Sequence, residues 1–591
     1  MADLILKRSA LIAFILLLLS SCATVPPKAP IHQTKGDYGY VKEYMSWFIR
    51  KEMKDKNIAG LSIALVDDRK IIWQQGFGYA DLKNKIKATP ETVYRAGSIS
   101  KLFNGMAVMK LVEAGKMDLD RPLVTYLPQF KIKSRFGNTD GITPRTILTH
   151  HSGLPRDWID GMWAKQPKPF TQLVHAIKDE YVAYPPNTVM SYSNLGVTLL
   201  GHAVQNVSGM AYAQYLHQSL LEPMGMKHSR FATGLSGISA AKSYMNGNEV
   251  FEYPLGYIPA GGLNTTATDL ARLAMLVNNR GKLHNRQILL PESLEAMLTV
   301  QNAQIPLDLG NPMGLAWFIN NKVLAQKEPV YSHGGGVIAH RTMFMVAPES
   351  KLGVVVLANT GSANPREIAQ KLLQMAWEAK NGEKLPKLKP PGLKPSVVKP
   401  SDFKGTYATL IGKVRVTEKS SQRYKVISSM GNFNLSPGKD NQYHLSRRLF
   451  GFIPIDLEKL GEAALTTEDI SGHHIIVAEL DNNRFVAGVQ VKPYPIHNAW
   501  KKRLGKYTLL NPPEPEIYRM KDIELKIEDG YLVEAMAFSG DILTQILRSV
   551  NAQEAIGLDF GENLGKTVRI IKDNDGHEIL TFSGLRYKRI D

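Results

Sequence analysis

The sequence predicts an α+β protein: one sheet carrying a helical insertion, followed by two all-β modules. Three observations predict it. Strand patterns stand at both ends of residues 40–380, with helical and strand patterns alternating irregularly between them. Residues 381–400, with five prolines and five lysines, then break the periodicity. Beyond them, alternating strand patterns punctuated by turn residues continue through the chain. A length of 591 residues exceeds one ordinary domain, and about two to four domains are expected for it.

The elements follow in order. Lys7 and Arg8 precede an apolar run at 11–19, then Ser20-Ser21-Cys22-Ala23. The run is shorter than the about 20 residues that a spanning helix needs. It fits the apolar region of a signal peptide at residues 1–21; an uncleaved N-terminal anchor helix is the alternative. Cys22 is the only cysteine, which excludes an intramolecular disulfide. Residues 22–39, with Pro26, Pro27, Pro30 and Gly36, read as a tether. Within the 40–380 block, 41–51 fit a helix, 61–66 and 71–79 two strands around a turn at Asp67-Asp68, and 353–358 a buried strand. Residues 381–400 read as a stiff, charged linker. Strand candidates follow at 413–417, 423–427, 474–478, 523–527 and 531–534, with turns at Asp529-Gly530 and Asn574-Asp575-Gly576. Phe403-Lys404-Gly405-Thr406-Tyr407 and Leu504-Gly505-Lys506-Tyr507 open alike, and mark two similar modules, 401–498 and 499–591.

Composition is globular, with 44% apolar and 21% charged residues. The net charge of +18, with an isoelectric point near 9.5, admits a nucleic acid, an anionic envelope surface or simple solubility. No arginine-rich arm, zinc spacing or aromatic RNA-binding signature accompanies it. With an export signal in front, no nucleic-acid partner is expected.

Three short segments carry the chemistry. Ser-x-x-Lys occurs five times, at Ser98, Ser239, Ser396, Ser401 and Ser436. An isolated match is ordinarily a capping serine followed by a solvated lysine. Only Ser98 heads an apolar helical pattern, with Leu102, Met106, Met109 and Val112 at helical spacing and Gly115 as a stop. That places Lys101 one turn beyond Ser98 on the same face. A serine hydroxyl needs a nearby base; Lys101 serves if burial lowers its pKa. A helix N-terminus also disfavours a cation and favours an oxyanion. Tyr192-Ser193-Asn194 ends a loop and opens an apolar helix. A tyrosine there can relay protons and the asparagine amide can fix lysine and substrate; a packed tyrosine and a capping asparagine are the plain alternative. Tyr244-Met245-Asn246 matches the same pattern. His333-Gly334-Gly335-Gly336 precedes a strand expected at 343–346, where glycines would let a substrate backbone approach. A bare N–H there could complete an oxyanion hole with that of Ser98. His151-Ser152-Gly153 shares the His-x-Gly form and is expected to be a surface turn.

With these pieces in order, residues 40–379 resemble the serine β-lactamase and penicillin-binding-protein superfamily, closest to the class C β-lactamase-related branch of esterases, D-aminopeptidases and DD-carboxypeptidases. Tyr94-Arg95-Ala96-Gly97-Ser98, Ile147-Leu148-Thr149-His150-His151-Ser152-Gly153-Leu154-Pro155, Pro259-Ala260-Gly261-Gly262-Leu263 and Gly314-Leu315-Ala316-Trp317 carry the resemblance beyond the three motifs. It implies a β-lactamase-like antiparallel sheet flanked by helices with a helical subdomain. It also implies Ser98 as acylated nucleophile, Lys101 as base, Tyr192 as proton shuttle, Asn194 as substrate orienter and His333, Gly334, Gly335 and Gly336 as the binding strand, with no cofactor or metal. Many relatives carry Lys-Thr-Gly where His333-Gly334-Gly335 stands. A histidine is mostly neutral near pH 7, which shifts the expectation from carboxylate-bearing β-lactams toward D-amino-acid peptides, amides or esters. Leu19-Ser20-Ser21-Cys22 resembles the bacterial lipoprotein signal, which implies lipidation of Cys22, a membrane-held mature chain and, after Ala23, an outer-membrane destination in a Gram-negative host. The C-terminal modules weakly resemble the lipocalin-like barrels of related peptidases, which can border the active site. The expected function is an envelope-anchored serine hydrolase acting on peptide, amide or ester substrates, peptidoglycan-derived ones included. The alternatives are a non-turnover wall-peptide-binding sensor or scaffold, a carboxylesterase or a β-lactamase, and a structural lipoprotein with a dead site.

Overall fold

A computed structural model describes residues 25–30, 34–235, 240–387, 403–438, 443–446, 463–480, 483–514, 522–538, 541–558 and 565–590. The expected signal peptide, Cys22, Ser239, Ser396, Ser401 and most of the 381–400 linker lie outside the described residues. Among the described residues no helix is long and apolar enough to cross a membrane.

The first domain is built on a seven-stranded antiparallel sheet. Its strands are β1 (Gly60–Asp67), β2 (Lys70–Asp81), β3 (Ile86–Lys87), β4 (Phe318–Asn320), β5 (Val330–Val337), β6 (His340–Ala347) and β7 (Leu352–Ala358), in the spatial order β4-β5-β6-β7-β1-β2-β3. The helices that matter here are α1 (Gly39–Asp55), α2 (Ser100–Glu113), α3 (Asn194–Ser208), α4 (Ile258–Gly261), α5 (Ala267–Asn278) and α6 (Pro365–Asn381). The first and last strands of the domain meet in its middle: β1 pairs with β7, Leu61 opposite Ala358. The unbroken apolar run of β7 is explained by burial on both faces. Val354 and Val356 join the core shared with α1 and α6, while Val355 and Leu357 join the core shared with α5 and the helical insertion. The insertion, between β3 and β4, places α2 at its centre, buried almost all round from Ser100 to Met109.

The C-terminal part forms two closed, eight-stranded barrels. The first closes where Thr406 meets Val491, the second where Tyr507 meets Arg589. Closure removes the exposed strand edges an open sheet would leave. Tyr407 and Tyr507, from the two similar opening segments, are each buried in their own barrel's core. Both barrels rest on the first domain. Ile475, Val477, Val486 and Val489 of the first pack on Ala183, Tyr184, Val189 and Leu307. Arg569 of the second binds the buried Glu180, and Arg135 reaches Glu554 at 3.3 Å.

The strand expected at 343–346 lies in β6, and His333–Gly336, which precedes it, itself lies within β5, the hairpin partner of β6. Three successive glycines are poor strand formers, so local pattern alone did not mark β5.

Candidate active site

The Tyr94–Gly97 strand pairs with Leu263–Thr265. Gly97, at φ +56°, turns the chain so that Ser98 lies in the bend just before α2, which begins at Ser100. Ser100 secures this bend: its hydroxyl donates to Gly97 O at 2.6 Å and accepts from Leu263 N at 2.9 Å. Ser98 is half-buried at the helix N-terminus, where the dipole disfavours a nearby cation.

Lys101 is 1% exposed. Its Nζ stands 3.2 Å from Ser98 Oγ, 2.8 Å from Asn194 Oδ1 and 2.8 Å from Ala260 O of α4. Burial pushes its pKa down to about 7; Asp157 resists this fall and Arg156 adds to it. A neutral amine has two N–H bonds and one lone pair. The two carbonyl-type acceptors take both N–H groups, so the lone pair faces the Ser98 hydroxyl.

Tyr192 lies beside this pair, its ring 4.8 Å from Lys101 Nζ. Burial pushes its pKa well above the ordinary phenol value, although its hydrogen bond with Ser98 pulls the other way. The phenol is therefore a proton carrier at neutral pH. Ser193, not Asn194, caps α3: its Oγ accepts from Gly196 N at 2.9 Å and donates to Pro155 O at 2.7 Å. Asn194 is thereby free of the capping role, and its Nδ2 donates to Asp157 Oδ1 at 2.9 Å. His150, its ring 4.2 Å from that of Tyr192, accepts at Nδ1 from Ser193 N at 3.2 Å.

β5 closes the other side. A Cβ on Gly335 would stand 2.0 Å from Ala96 O, so glycine lets β5 press against the strand that leads to Ser98. β4 pairs only with Val330–Ser332 of β5. The edge from His333 onward is left unpaired by β4 on that side, where an extended substrate could add. His333 is 2% exposed, its ring 6.4 Å from that of Tyr192. Burial, with Lys101 nearby, pushes its pKa down to about 3, so it is neutral throughout the physiological range.

Ser98, Lys101, Tyr192 and Asn194 thus converge as the sequence motifs suggested, with His333, Gly334, Gly335 and Gly336 on the bordering strand. Cys22 lies outside the described residues. The competing matches fall elsewhere: Tyr244 accepts from Leu82 N at 2.8 Å, and Ser436 lies in a strand of the first barrel. His151 is not on the surface; it is buried and bound to Asp308 at 2.8 Å. Three participants carried no motif of their own. His150 and Ala260 stand inside the segments on which the resemblance rested, while Asp157 sits on a loop with no local signal.

Comparison with known proteins agrees with this fold. Residues 46–375, more than half of the chain, match the Beta-lactamase family model. Protein flp of Staphylococcus aureus (strain NCTC 8325 / PS 47) is 27% identical over 333 residues, covering 54% of this chain and 64% of the relative. This chain therefore spans just under two thirds of that relative's length. The octameric penicillin-binding protein homologue from Pyrococcus abyssi superposes with a TM-score of 0.50 at 23% identity, covering 85% of this chain and 99% of that one. SurE, crystallised with D-Leu, superposes with a TM-score of 0.53 at 20% identity, covering 77% of this chain and 100% of that one. At those identities the two structures speak for the fold. The chain belongs to the beta-lactamase family.

Proposed function

We propose that the protein is a serine hydrolase working through an acyl-enzyme on Ser98. The observation that carries this reading is the buried Lys101 amine, 3.2 Å from Ser98 Oγ, with two carbonyl-type acceptors at 2.8 Å for its N–H groups. In the first step Ser98 Oγ forms a bond to the substrate carbonyl carbon and its proton passes to Lys101. The N–H of Ser98 and the free edge of β5 face the developing oxyanion. The tetrahedral species collapses, the bond to the leaving group breaks, and Tyr192 hands its proton to that group and is reprotonated from Lys101. Water then attacks the acyl carbon, and Ser98 leaves with a proton.

The neutral His333 offers no cation for a substrate carboxylate, which favours D-amino-acid peptides or amides, or esters. The D-Leu complex of the structural neighbour SurE is in keeping with such substrates. We further propose that Cys22 is lipidated and holds the enzyme at the cell envelope, where peptidoglycan fragments occur. A Cys22→Ala chain should then leave the membrane fraction.

One panel tests the activity: nitrocefin, short-chain esters, D-amino-acid amides and muropeptides, with wild type and Ser98→Ala. Turnover lost in Ser98→Ala supports the reading. Stoichiometric labelling without product release points instead to a non-turnover wall-peptide sensor. Activity unchanged in Ser98→Ala sinks the catalytic assignment.

A further inference from the structure

The hydrogen-bond chain that begins at Lys101 runs through Asn194 to Asp157, on a loop whose Ile159 is bonded to the second barrel. Asn194 Nδ2 donates to Asp157 Oδ1 at 2.9 Å, and Asp157 Oδ2 lies 3.2 Å from Arg156 Nε. An ionised carboxylate only accepts hydrogen bonds. Asp157 therefore fixes which way round the Asn194 amide stands: NH2 toward Asp157, carbonyl oxygen toward Lys101. The opposite orientation would aim a donor at Lys101 and compete with Ser98 for its lone pair.

The residues after Asp157 are clamped from two sides. On the hydrolase side, Tyr257 OH accepts from Trp158 N at 3.0 Å and donates to Trp158 O at 2.8 Å. On the barrel side, Ile159 N donates to Ser583 O at 2.8 Å, in the turn joining the last two strands, Glu578–Phe582 and Leu585–Arg589. Gly584 in that turn has φ +81°, and a Cβ there would stand 2.7 Å from both Trp158 and Asp160. Asn511 of the same barrel donates to Gly584 O at 2.9 Å and reaches Asp160 Oδ1 at 3.5 Å.

We infer that Asp157 is a positioning residue for the Lys101 base, held in place by the Ser583–Gly584 turn, so that the second barrel is a working part of the active site. The inference rests on the serine-hydrolase reading above. The groups around the Lys101 amine are Ser98 on its own element, Tyr192 and Asn194 at the start of α3, His150, Arg156 and Asp157 on the preceding loop, His333 on β5 and the Ala260 carbonyl. Burial keeps His150 and His333 uncharged near neutrality, and Tyr192 retains its proton. The local charge balance at Lys101 is therefore between Asp157 and Arg156. Losing the Asp157 charge lowers the proton affinity of Lys101, and the acid limb of the acylation profile moves to lower pH.

The test is the pH dependence of covalent labelling by a fluorophosphonate, using the full chain. Asp157→Asn should slow labelling about tenfold or more and move the acid limb down by roughly half a pH unit. Asp157→Glu, still an acceptor-only anion, should keep the limb near its wild-type position. Asn511→Ala and Gly584→Ala should each slow labelling several-fold while the protein stays folded; Asn511→Ala guards against a turn that fails to form in Gly584→Ala. A limb unmoved in Asp157→Asn overturns the positioning role. Wild-type labelling rates in both barrel variants overturn the barrel's part. Labelling that persists in Ser98→Ala, or is absent from wild type, defeats the serine-hydrolase reading instead.

Discussion

Lys101→Met keeps the length of the side chain and removes its amine, which separates the cost of the base from its use. Holding the lysine pKa at about 7 rather than 10.5 penalises the protonated form by roughly 5 kcal/mol. The sign follows from linkage. The unfolded chain binds the proton up to its higher pKa, so the penalty is fully present below pH 7, shrinks as pH rises and is gone by about 10.5. Against this gain, methionine leaves Asn194 Oδ1 and Ala260 O without their buried donor, about 1–3 kcal/mol each. Lys101→Met should therefore lie within about −1 to +3 kcal/mol of wild-type stability at pH 6, and should be less stable than wild type by more than that near pH 10, so that its relative stability falls as pH rises. Urea unfolding followed by tryptophan fluorescence measures it, since every tryptophan except Trp500 lies in the first domain. The midpoint should move and the slope should not. Equal destabilisation at every pH would refute the idea that Lys101 is held against its ordinary protonation. The variant should also resist labelling at Ser98.

Two further outcomes are expected. His333→Lys puts a cation beside Lys101; turnover of nitrocefin, which carries a carboxylate, should rise several-fold and the acid limb should fall, and unchanged selectivity would count against the role given to the neutral histidine. Ending the chain after Lys380 should broaden substrate selectivity while slowing acylation, because the Trp158–Asp160 loop loses its barrel partner. The same truncation uncovers Ala183, Tyr184, Val189 and Leu307, so binding of a hydrophobic dye should increase; a truncated domain with wild-type rates and no added dye binding would show that the barrels are passive.

The sequence and the structure diverge at instructive places. Ser98, Lys101, Tyr192 and Asn194 were readable because each pair sits at or near the start of an apolar helix, where local spacing sets geometry. The two barrels were readable from period-two patterns and from a shared opening segment. β5 was readable only through the family resemblance, since glycine suits close approach of two strands but carries no strand propensity. His151 looked like a surface turn because nothing near it in sequence announces Asp308, its buried partner. Asp157 was invisible for a stronger reason: its role exists only when Asn194 reaches it and Ser583, more than 400 residues downstream, steadies its loop. The docking of Arg569 on Glu180 is of the same kind, a contact between residues 389 apart.

The pairing of β1 with β7 bears on how such a chain is made. β1 occupies the middle of the sheet, yet its partner Ala358 arrives about 300 residues after Leu61. During synthesis the N-terminal hairpin has no finished sheet to join, and a large loop must close before the core can form. Each barrel, by contrast, is assembled from neighbouring hairpins and can form quickly once its own strands are out. A first domain that folds late stays threadable for longer, which would suit the envelope placement proposed above. The same delay leaves its apolar strands exposed until the loop closes, so its yield in the cell should depend on holding chaperones more than that of the barrels does.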